Sequence, residues 1–330
     1  MTTPPAPADL IAHAADVLRA GGLVAFPTET VYGLGAAAEQ PTAVRKIFEA
    51  KGRPADHPVI VHLRGVDELD VWARAVPPGA RLLAQRFWPG PLTLVLPRSG
   101  RAHDLVTGGQ DSVGLRCPSH PWARALLAAF AGAVAAPSAN SFGRISPTTA
   151  AHVRADLGEK PAGRVDFILD GGACPVGIES TIVDFSRADG RPRLLRPGSI
   201  TRAELEAVLG EAVVDAGADA PRASGRLASH YAPRTRLELV PPANLAARLN
   251  ALRDQRIALL APAAALLDRA PQVVLREIAP ADAAAYAAQL YGALHRLDAA
   301  GADRILVALP PSAPAWDAVH DRLRRAQSVV

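Results

Sequence analysis

The chain has only two cysteines among its 330 residues, Cys117 and Cys174, and they do not stand in a CxxC spacing. A disulfide framework or a cysteine-rich zinc site needs more thiols at closer spacing. The sequence therefore predicts neither, and the two thiols are interpreted as buried or incidental.

Long apolar runs are also missing. The longest are short and interrupted, below the roughly 18 to 20 residues that a membrane-spanning helix needs. The N-terminal stretch MTTPPAPADL lacks the basic start and the apolar centre of a secretory signal peptide. We therefore expect a cytoplasmic protein without a membrane segment.

The standard phosphate-binding and hydrolytic motifs are absent as well. The sequence contains no GxxxxGK[ST] loop, and no GxGxxG that opens a helix after a strand. HExxH and GxSxG are missing too. A bound nucleotide would therefore need a different cradle, and no metal-ligand cluster is indicated.

The overall composition is that of a folded protein. Hydrophobic residues make up 49% of the chain and charged residues 21%, and the length favours two domains. The net charge is +4, and nearly all cations are arginine. Arginine suits anionic ligands such as phosphates or RNA, but a GC-rich genome also encodes it in preference to lysine, so charge alone decides nothing.

Helical and strand patterns alternate along the chain. Helices are predicted at 8–20 and 42–51, where Gly52 ends the second, and Thr201 and Glu204 have the spacing of a capping box. A stretch rich in small residues, 208–235, is predicted to be a linker. It separates residues 1–207 from residues 236–330, whose alternating strands and helices predict a small parallel α/β domain.

Two cations flank a glycine where the second helix ends. Lys51 and Arg53 precede Pro54, and cations on such a fixed turn can neutralise a polyphosphate. They could equally offset the C-terminal dipole of the helix. His62 lies in the strand that follows, either as a ligand or as a satisfied core residue.

Three further segments place polar residues at strand ends. The loop APSANSFGRISPT, 136–148, could hold phosphate or ribose oxygens, or could simply be a turn. Arg116 interrupts an apolar strand and needs either a carboxylate ligand or a structural salt bridge. Ser180, Thr181 and Arg196 stand at two more strand ends.

In combination these segments resemble the Sua5/YrdC/YciO family, specifically its two-domain Sua5 type. Eight segments carry the resemblance in the family's order: FPTETVYGLGA, KGRPADHPVIVH, FWPGPLTLVLP, VGLRCPSHP, APSANSFGRISPT, GIESTIVDF, LRPGSI and SHYAP. The resemblance implies a twisted mixed sheet with helices and a large cleft, followed by the small C-terminal α/β domain. It also implies a nucleotidyltransferase that forms threonylcarbamoyl-AMP and pyrophosphate from L-threonine, bicarbonate and ATP.

The family's roles carry over to matching positions of this sequence. Lys51 and Arg53 would be the catalytic cations. The resemblance assigns the L-threonine site to Thr30, His62, Arg116, Ala136 and Ser180. It assigns the ATP site to Lys51, Arg53, His57, Ser112, Ser138, Asn140, Ser146, Arg196, His230 and Tyr231. Mg²⁺ would accompany ATP, and the protein itself would supply no metal site.

The segment FPTETVYGLGA, 26–36, is interpreted as a polar turn that forms one wall of the cleft. Pro27 would fix the exit from the preceding strand, Gly33 and Gly35 would permit close backbone approach, and Thr30 would face the amino acid. Glu29 has two interpretations, because it could orient the threonine amine or pair with a neighbouring arginine.

The sequence departs from the family pattern in two places. His57 stands where the family commonly has asparagine, and ASGR, 223–226, replaces a frequent SPGM. The linker that ends in SHYAP is the predicted lid over the nucleotide. The product would serve a separate transferase that modifies adenosine 37 of tRNA, and weak tRNA binding is a further expectation. The alternative hypothesis is a non-catalytic RNA-binding protein of ribosome maturation.

Overall fold

The computed structural model describes residues 6–217, 220–225, 230–265 and 270–327. Its contacts divide the chain into two compact units, one of residues 1–142 and 147–226 and the other of residues 143–146 and 227–330. The division at 226/227 falls inside the predicted linker 208–235, of which residues 218–219 and 226–229 lie outside the described part.

Ten strands of the first unit form one mixed sheet. They are β1 (Val24–Phe26), β2 (Gly33–Ala37), β3 (Ile60–His62), β4 (Leu92–Pro97), β5 (Ser112–Arg116), β6 (Val134–Ala135), β7 (Phe167–Ile168), β8 (Thr181–Asp184), β9 (Arg193–Arg196) and β10 (Val214–Asp215). Their order is β10-β9-β8-β4-β5-β3-β6-β2-β1-β7. The expected mixed α/β architecture is confirmed.

The predicted helices 8–20 and 42–51 are present to within one residue at each end. The described part of this unit contains eight α-helices. They are α1 (Ala8–Arg19), α2 (Pro41–Lys51), α3 (Leu69–Trp72), α4 (Pro78–Phe87), α5 (Asp104–Thr107), α6 (Pro121–Phe130), α7 (Ala150–Asp156) and α8 (Arg202–Leu209), with a 3-10 turn at Val66–Glu68. Gly52 ends α2 with a φ of 62°, and the predicted capping box of Thr201 and Glu204 begins α8.

Two segments differ from their predictions. Val214–Asp215, inside the predicted linker 208–235, form strand β10 at one end of the sheet. Residues 33–36 of the expected turn 26–36 belong, together with Ala37, to strand β2, which pairs antiparallel with β1. Two of its five positions are glycine, which is why the segment lacks a strand signature in the sequence. A Cβ at Gly35 would stand 2.8 Å from ring atom Cε1 of Phe26 and from Cγ1 of Val134. The close approach expected at this glycine is therefore present, inside a strand.

Helices cover the two faces of the sheet unequally. Val24 and Phe26 of β1 pack in the cluster that includes α1 and α6, whereas Ala25 packs in the larger cluster of the opposite face. On β4, Leu92 and Leu94 belong to that larger cluster, and Thr93 between them points to the other face. The candidate site lies on this second face, beside the part that α1 and α6 cover.

The second unit contains a four-stranded parallel sheet. Its strands are β11 (Arg236–Val240), β12 (Ile257–Ala261), β13 (Val273–Ile278) and β14 (Arg304–Ala308), in the order β11-β14-β12-β13. Its helices are α9 (Leu245–Ala251), α10 (Ala283–Asp298) and α11 (Asp317–Ala326), with 3-10 turns at Pro242–Asn244, Ala263–Ala265 and Pro314–Trp316. The predicted parallel α/β domain is confirmed. Across the described residues of both units, no helix has the length and apolarity to cross a bilayer.

Candidate active site

A row of polar side chains crosses the middle of the ten-stranded sheet. His62 of β3 is in register with Arg116 of β5, and the pairing of β4 with β5 brings Thr93 beside Arg116. The hydroxyl oxygens of Thr93 and Ser180 are 2.8 Å apart. Side chains of residues paired across adjacent strands point to the same face. Three of the five predicted threonine-binding residues, with Thr93 as a fourth member, therefore line one face of the sheet.

His62 is held as a neutral imidazole. Burial, together with the nearby Arg116 guanidinium, lowers the pKa of His62 to about 3. Its Nδ1 atom is buried and has no hydrogen-bond partner among the described residues. The ring of Phe26 packs edge-on against it at 5.9 Å. A neutral imidazole with one unpaired ring nitrogen can form a hydrogen bond to a ligand without adding charge to the site.

Arg116 forms a buried ion pair with Glu29. A guanidinium nitrogen of Arg116 donates to Oε1 of Glu29 at 2.7 Å, and both side chains are 5% exposed. The backbone N–H of Ser119 donates to the other carboxylate oxygen at 3.0 Å. Of the two interpretations of Glu29, the structure shows the arginine pair. The buried Nε of Arg116 has no partner among the described residues, so the guanidinium keeps a donor for a carboxylate ligand.

Thr30 is fully buried in the connection between β1 and β2. Its hydroxyl oxygen lies 2.9 Å from that of Thr28, which also donates to the carbonyl of Val31 at 2.7 Å. Thr28 therefore closes the turn that positions Thr30. Ala136 is also predicted to contact the substrate threonine. Its N–H donates to the carbonyl of Ile60 at 2.9 Å, so this N–H is already used in a backbone hydrogen bond.

A small cavity continues along the same face. Its lining includes Ile60 of β3, Ser112 and Gly114 of β5, and Ile182 of β8. These positions alternate with the opposite face, so they share a face with the polar row. The predicted ATP residue Ser112 thus lies beside the predicted threonine-binding residues, on the same face of the sheet. We call this face the floor of the site.

Two arginines meet at Ser224 over this floor. Arg53 donates to the carbonyl of Pro58 at 2.8 Å and to the hydroxyl of Ser224 at 3.5 Å. Arg196 donates to the carbonyl of Ser224 at 2.8 Å and, through Nε, to the carbonyl of Ser180 at 3.1 Å. The predicted phosphate-binding cations Arg53 and Arg196 therefore converge on one point, beside the polar row.

Lys51 lies at the end of α2 and holds the polar loop. Its ammonium donates to the carbonyl of Ser138 at 2.6 Å and to the carbonyl of Asn140. Burial and the neighbouring Arg53 lower the pKa of Lys51 well below its usual range. Two of its three donors are thus used in shaping the loop that carries the predicted ATP residues Ser138, Asn140 and Ser146.

His57 and Arg53 share an aromatic neighbour. The ring of His57 packs edge-on to Phe142 at 5.3 Å, and the guanidinium of Arg53 lies 5.6 Å from the same ring. Partial burial and Arg53 lower the pKa of His57, so its ring is held towards the neutral form. An aromatic histidine here can offer a stacking surface to a base where an asparagine would offer an amide.

Three predicted ATP residues belong to the second unit: Ser146, His230 and Tyr231. The carbonyl of Ser146 lies 3.2 Å from a ring nitrogen of His295. Tyr231 has a φ of 63° and lies 5.5 Å from the guanidinium of Arg322. The structure therefore gathers the other predicted residues in the first unit and places these three in the second. Ser229 of the predicted lid lies outside the described residues.

Sequence reasoning missed the residues that fix the segment 220–225 above the floor. The N–H of Arg222 donates to the side-chain oxygen of Gln110 at 2.6 Å, and its guanidinium donates to the carbonyls of Gly108 and Asp56 at 2.7 and 3.2 Å. Ala223 packs against the cluster that contains Val95 and Ile182. No local pattern marks these partners, because they are more than 100 positions apart in sequence.

Thr93 was missed although a signal exists. It is a polar residue between leucines in an apolar strand, the same irregularity that marks Arg116. Among the described residues, no group of three or more histidine, cysteine, aspartate or glutamate side chains could hold a metal ion.

Two family models match the sequence. A model named for Sua5, YciO and YrdC, and described as "Telomere recombination", matches residues 16–198. A second, described as "Threonylcarbamoyl-AMP synthase, C-terminal domain", matches residues 200–328.

Curated relatives and a solved structure agree with these models. The chain is 47% identical over 232 residues to a threonylcarbamoyl-AMP synthase of Pyrococcus abyssi, and 47% identical over 234 residues to one of Bacillus subtilis. Each alignment covers 69% of this chain and 66% of the relative, so the chain matches slightly under two thirds of their length. The crystal structure of Pyrococcus abyssi Sua5 complexed with L-threonine aligns with a TM-score of 0.87 at 37% identity, covering 97% of this chain and 94% of that one.

Proposed function

This chain belongs to the Sua5/YciO/YrdC family, and from that premise we propose that it forms threonylcarbamoyl-AMP and pyrophosphate from L-threonine, bicarbonate and ATP. Reaction at the α-phosphate would make it a nucleotidyltransferase. The relatives named for this activity, and the relative whose structure holds L-threonine, favour catalysis over non-catalytic RNA binding.

One observation carries the proposal: the residues proposed to bind the amino acid lie beside Arg53 and Arg196, the cations proposed to bind phosphate, on one face of the sheet. Arg116 offers a buried guanidinium for the threonine α-carboxylate, and neutral His62 lies next to it. Ser180 touches both sides of the site, through Thr93 at 2.8 Å and through Arg196 at 3.2 Å. A threonine here would therefore lie beside Arg196, where the triphosphate is expected.

The chemistry requires positioning and charge stabilisation. The threonine amine bonds to the carbon of bicarbonate and water leaves, which gives a carbamate. One carbamate oxygen then bonds to the α-phosphorus as the bond from that phosphorus to pyrophosphate breaks. Negative charge increases on the departing pyrophosphate, and fixed cations in a site shielded from water stabilise it. Arg53 and Arg196 are the residues proposed for that role, and Lys51 positions the loop beside them.

Mg²⁺ is proposed to enter with ATP. The described residues provide no cluster of carboxylates for a resident ion, and the phosphate side of the cleft is lined by cations and hydroxyls. Mg²⁺ usually keeps several waters and binds substrate phosphates, so an ATP complex fits this site better than a protein-held ion.

The product is proposed to supply the threonylcarbamoyl group of tRNA adenosine 37 through a separate transferase. A mixed anhydride of this kind is open to attack by water. Direct handover to a downstream enzyme in the cytoplasm would limit that loss.

Pyrophosphate release tests the proposal directly. The purified chain is incubated with ATP, Mg²⁺ and bicarbonate, with and without L-threonine. We expect release only with threonine, and a loss of about 100-fold or more in Arg53→Ala, the size seen when a charge-stabilising group is removed.

Arg81→Ala serves as the matched control, because Arg81 pairs with Asp70 on an exposed surface. Its rate should equal that of the wild type. Turnover that ignores threonine, or no turnover at all, would refute the proposed reaction. A normal rate in Arg53→Ala would remove only that residue from the site.

A further inference from the structure

The second unit contains a cavity that the proposed reaction does not use. It has a volume of about 520 Å³ and lies where all four parallel strands end. Its lining residues, which follow the strands or belong to the turns behind them, are Pro241, Pro242, Pro262, Ala279, Pro280, Ala281, Tyr286, Ala308, Leu309, Pro310, Pro311, Ser312 and Trp316. We call it the carboxyl-edge cavity. This edge is the usual ligand site of open parallel α/β sheets, and the volume is within the range of small-molecule pockets.

The cavity lacks the features with which such folds bind phosphate. Every strand is followed within two residues by a proline, which has no N–H: Pro241, Pro262, Pro280 and Pro310. The N–H groups of Ala279 and Leu309 donate to carbonyls of neighbouring strands, each at 2.9 Å. The described lining residues are all uncharged. An anion would therefore find few donors and no cation among the described lining residues.

The nearby helix end is also closed to anions. Asp282 caps α10, and its carboxylate accepts the N–H of Ala285 at 2.8 Å. In nucleotide-binding folds the corresponding helix N-terminus binds the phosphate. Here a carboxylate of the protein already takes that position and would repel a second anion.

The cavity lining contains two hydroxyl side chains, those of Ser312 and Tyr286, and the tyrosine has a buried hydroxyl without a partner in the described part of the chain. Tyr286 is 2% exposed, and its buried hydroxyl has no hydrogen-bond partner among the described residues. Its ring packs edge-on against Trp316 at 5.5 Å. An unpaired buried hydroxyl is costly, so it favours a ligand that accepts a hydrogen bond from it. Burial raises the pKa of Tyr286, which keeps the hydroxyl protonated and able to donate.

We propose that the carboxyl-edge cavity binds a small uncharged heteroaromatic molecule, which packs against Trp316 and accepts a hydrogen bond from Tyr286. Prolines and aromatic rings supply flat apolar surfaces for such a ring. This preference for an uncharged ring differs from that of the candidate active site, where arginines are proposed to bind phosphates.

The test uses two ring compounds of the same shape. Quinoline carries one ring nitrogen that accepts a hydrogen bond, and naphthalene carries none. The full-length protein is labelled with 5-fluorotryptophan, which gives a signal for each of its four tryptophans. The Trp316 signal is assigned with Trp316→Phe. Quinoline should shift this signal saturably and bind about fivefold or more tightly than naphthalene, the effect of one hydrogen bond.

Two variants separate the hydrogen bond from packing. Tyr286→Phe should remove the preference for quinoline and leave naphthalene binding unchanged. Tyr291→Phe is the matched control, because Tyr291 is buried on the same helix but does not line the cavity. It should bind both compounds as the wild type does.

Three results would overturn the proposal: no saturable shift of the Trp316 signal, equal affinity of the wild type for the two rings, or displacement of quinoline by inorganic phosphate. None of these measurements depends on turnover, so the outcome is independent of the proposed synthase reaction.

Discussion

At the scale of single residues, the buried ion pair of Glu29 and Arg116 is expected to affect the free energy of unfolding. Removing one partner of such a pair leaves an uncompensated buried charge, which costs about 3–5 kcal/mol. We expect Glu29→Gln and Arg116→Gln each to lower the free energy of unfolding by about that amount, and the double variant to lose clearly less than the sum. Urea denaturation of the four proteins gives this cycle. Additive losses would show that the two side chains do not interact.

His62 gives a pH dependence of stability. Its pKa is about 3 in the folded protein, against an ordinary value of 6.5. Below pH 6.5 the unfolded chain takes up a proton that the folded chain refuses, so stability falls as the pH is lowered from 6.5 towards 3. At pH 5 the loss from this residue is about 2 kcal/mol.

The measurement is the free energy of unfolding at pH 7 and pH 5 in the wild type and in His62→Gln. The variant should lose about 2 kcal/mol less between the two pH values. The other histidines are present in both proteins and cancel in the comparison. Identical losses would mean that His62 does not keep its neutral form in the folded state.

At the scale of elements, the segment 220–225 accepts hydrogen bonds from the two arginines to which ATP is proposed to bind. Ser224 accepts from Arg196 and contacts Arg53, and Arg222 fixes the segment through Gln110, Asp56 and Gly108. If ATP binds as proposed, it would have to replace Ser224 at both guanidinium groups. The segment would then compete with the nucleotide in the conformation described.

Arg222→Ala should weaken the docked segment and raise the affinity for ATP severalfold in calorimetric titration, since less must be displaced. Arg193→Ala is a suitable control, because Arg193 of β9 pairs with Asp189 in the turn before that strand. Weaker ATP binding by Arg222→Ala would instead show that the segment forms part of the nucleotide site.

At the scale of the whole molecule, the positive charge is dispersed. Many exposed arginines pair with carboxylates, such as Arg19 with Asp16, Arg74 with Asp111, and Arg296 with Glu277. A protein that neutralises 6–10 phosphates loses about 10³–10⁵ in affinity for nucleic acid between 50 and 200 mM salt. We expect less than about a tenfold loss for tRNA here, measured by filter binding. A loss above about 1,000-fold would favour the RNA-binding alternative.

The sequence predicts the elements of this fold better than the partners within the site. Helix α2 ends at Gly52 and helix α8 begins at a capping box, which are local signals, and the apolar strands have a period that can be read directly. β2 was not predicted, because two of its five residues are glycine and the segment lacks the residues typical of a strand. The union of Arg53, Arg196 and Ser224 could not be foreseen, since it depends on strand order and on contacts across more than 140 positions for one pair.

The short excursion of residues 143–146 into the second unit has a consequence for how the chain could be shortened. The carbonyl of Gly143 accepts a hydrogen bond from the N–H of Ala232. Arg144 pairs with Ala232 in an isolated parallel β-bridge. A gene that ended after codon 226 would strip Gly143 and Arg144 of this backbone partner, although they lie in the middle of the first unit's sequence. A one-domain descendant of this chain would therefore need a rewritten loop, so the C-terminal unit cannot be lost in a single genetic step without a structural penalty.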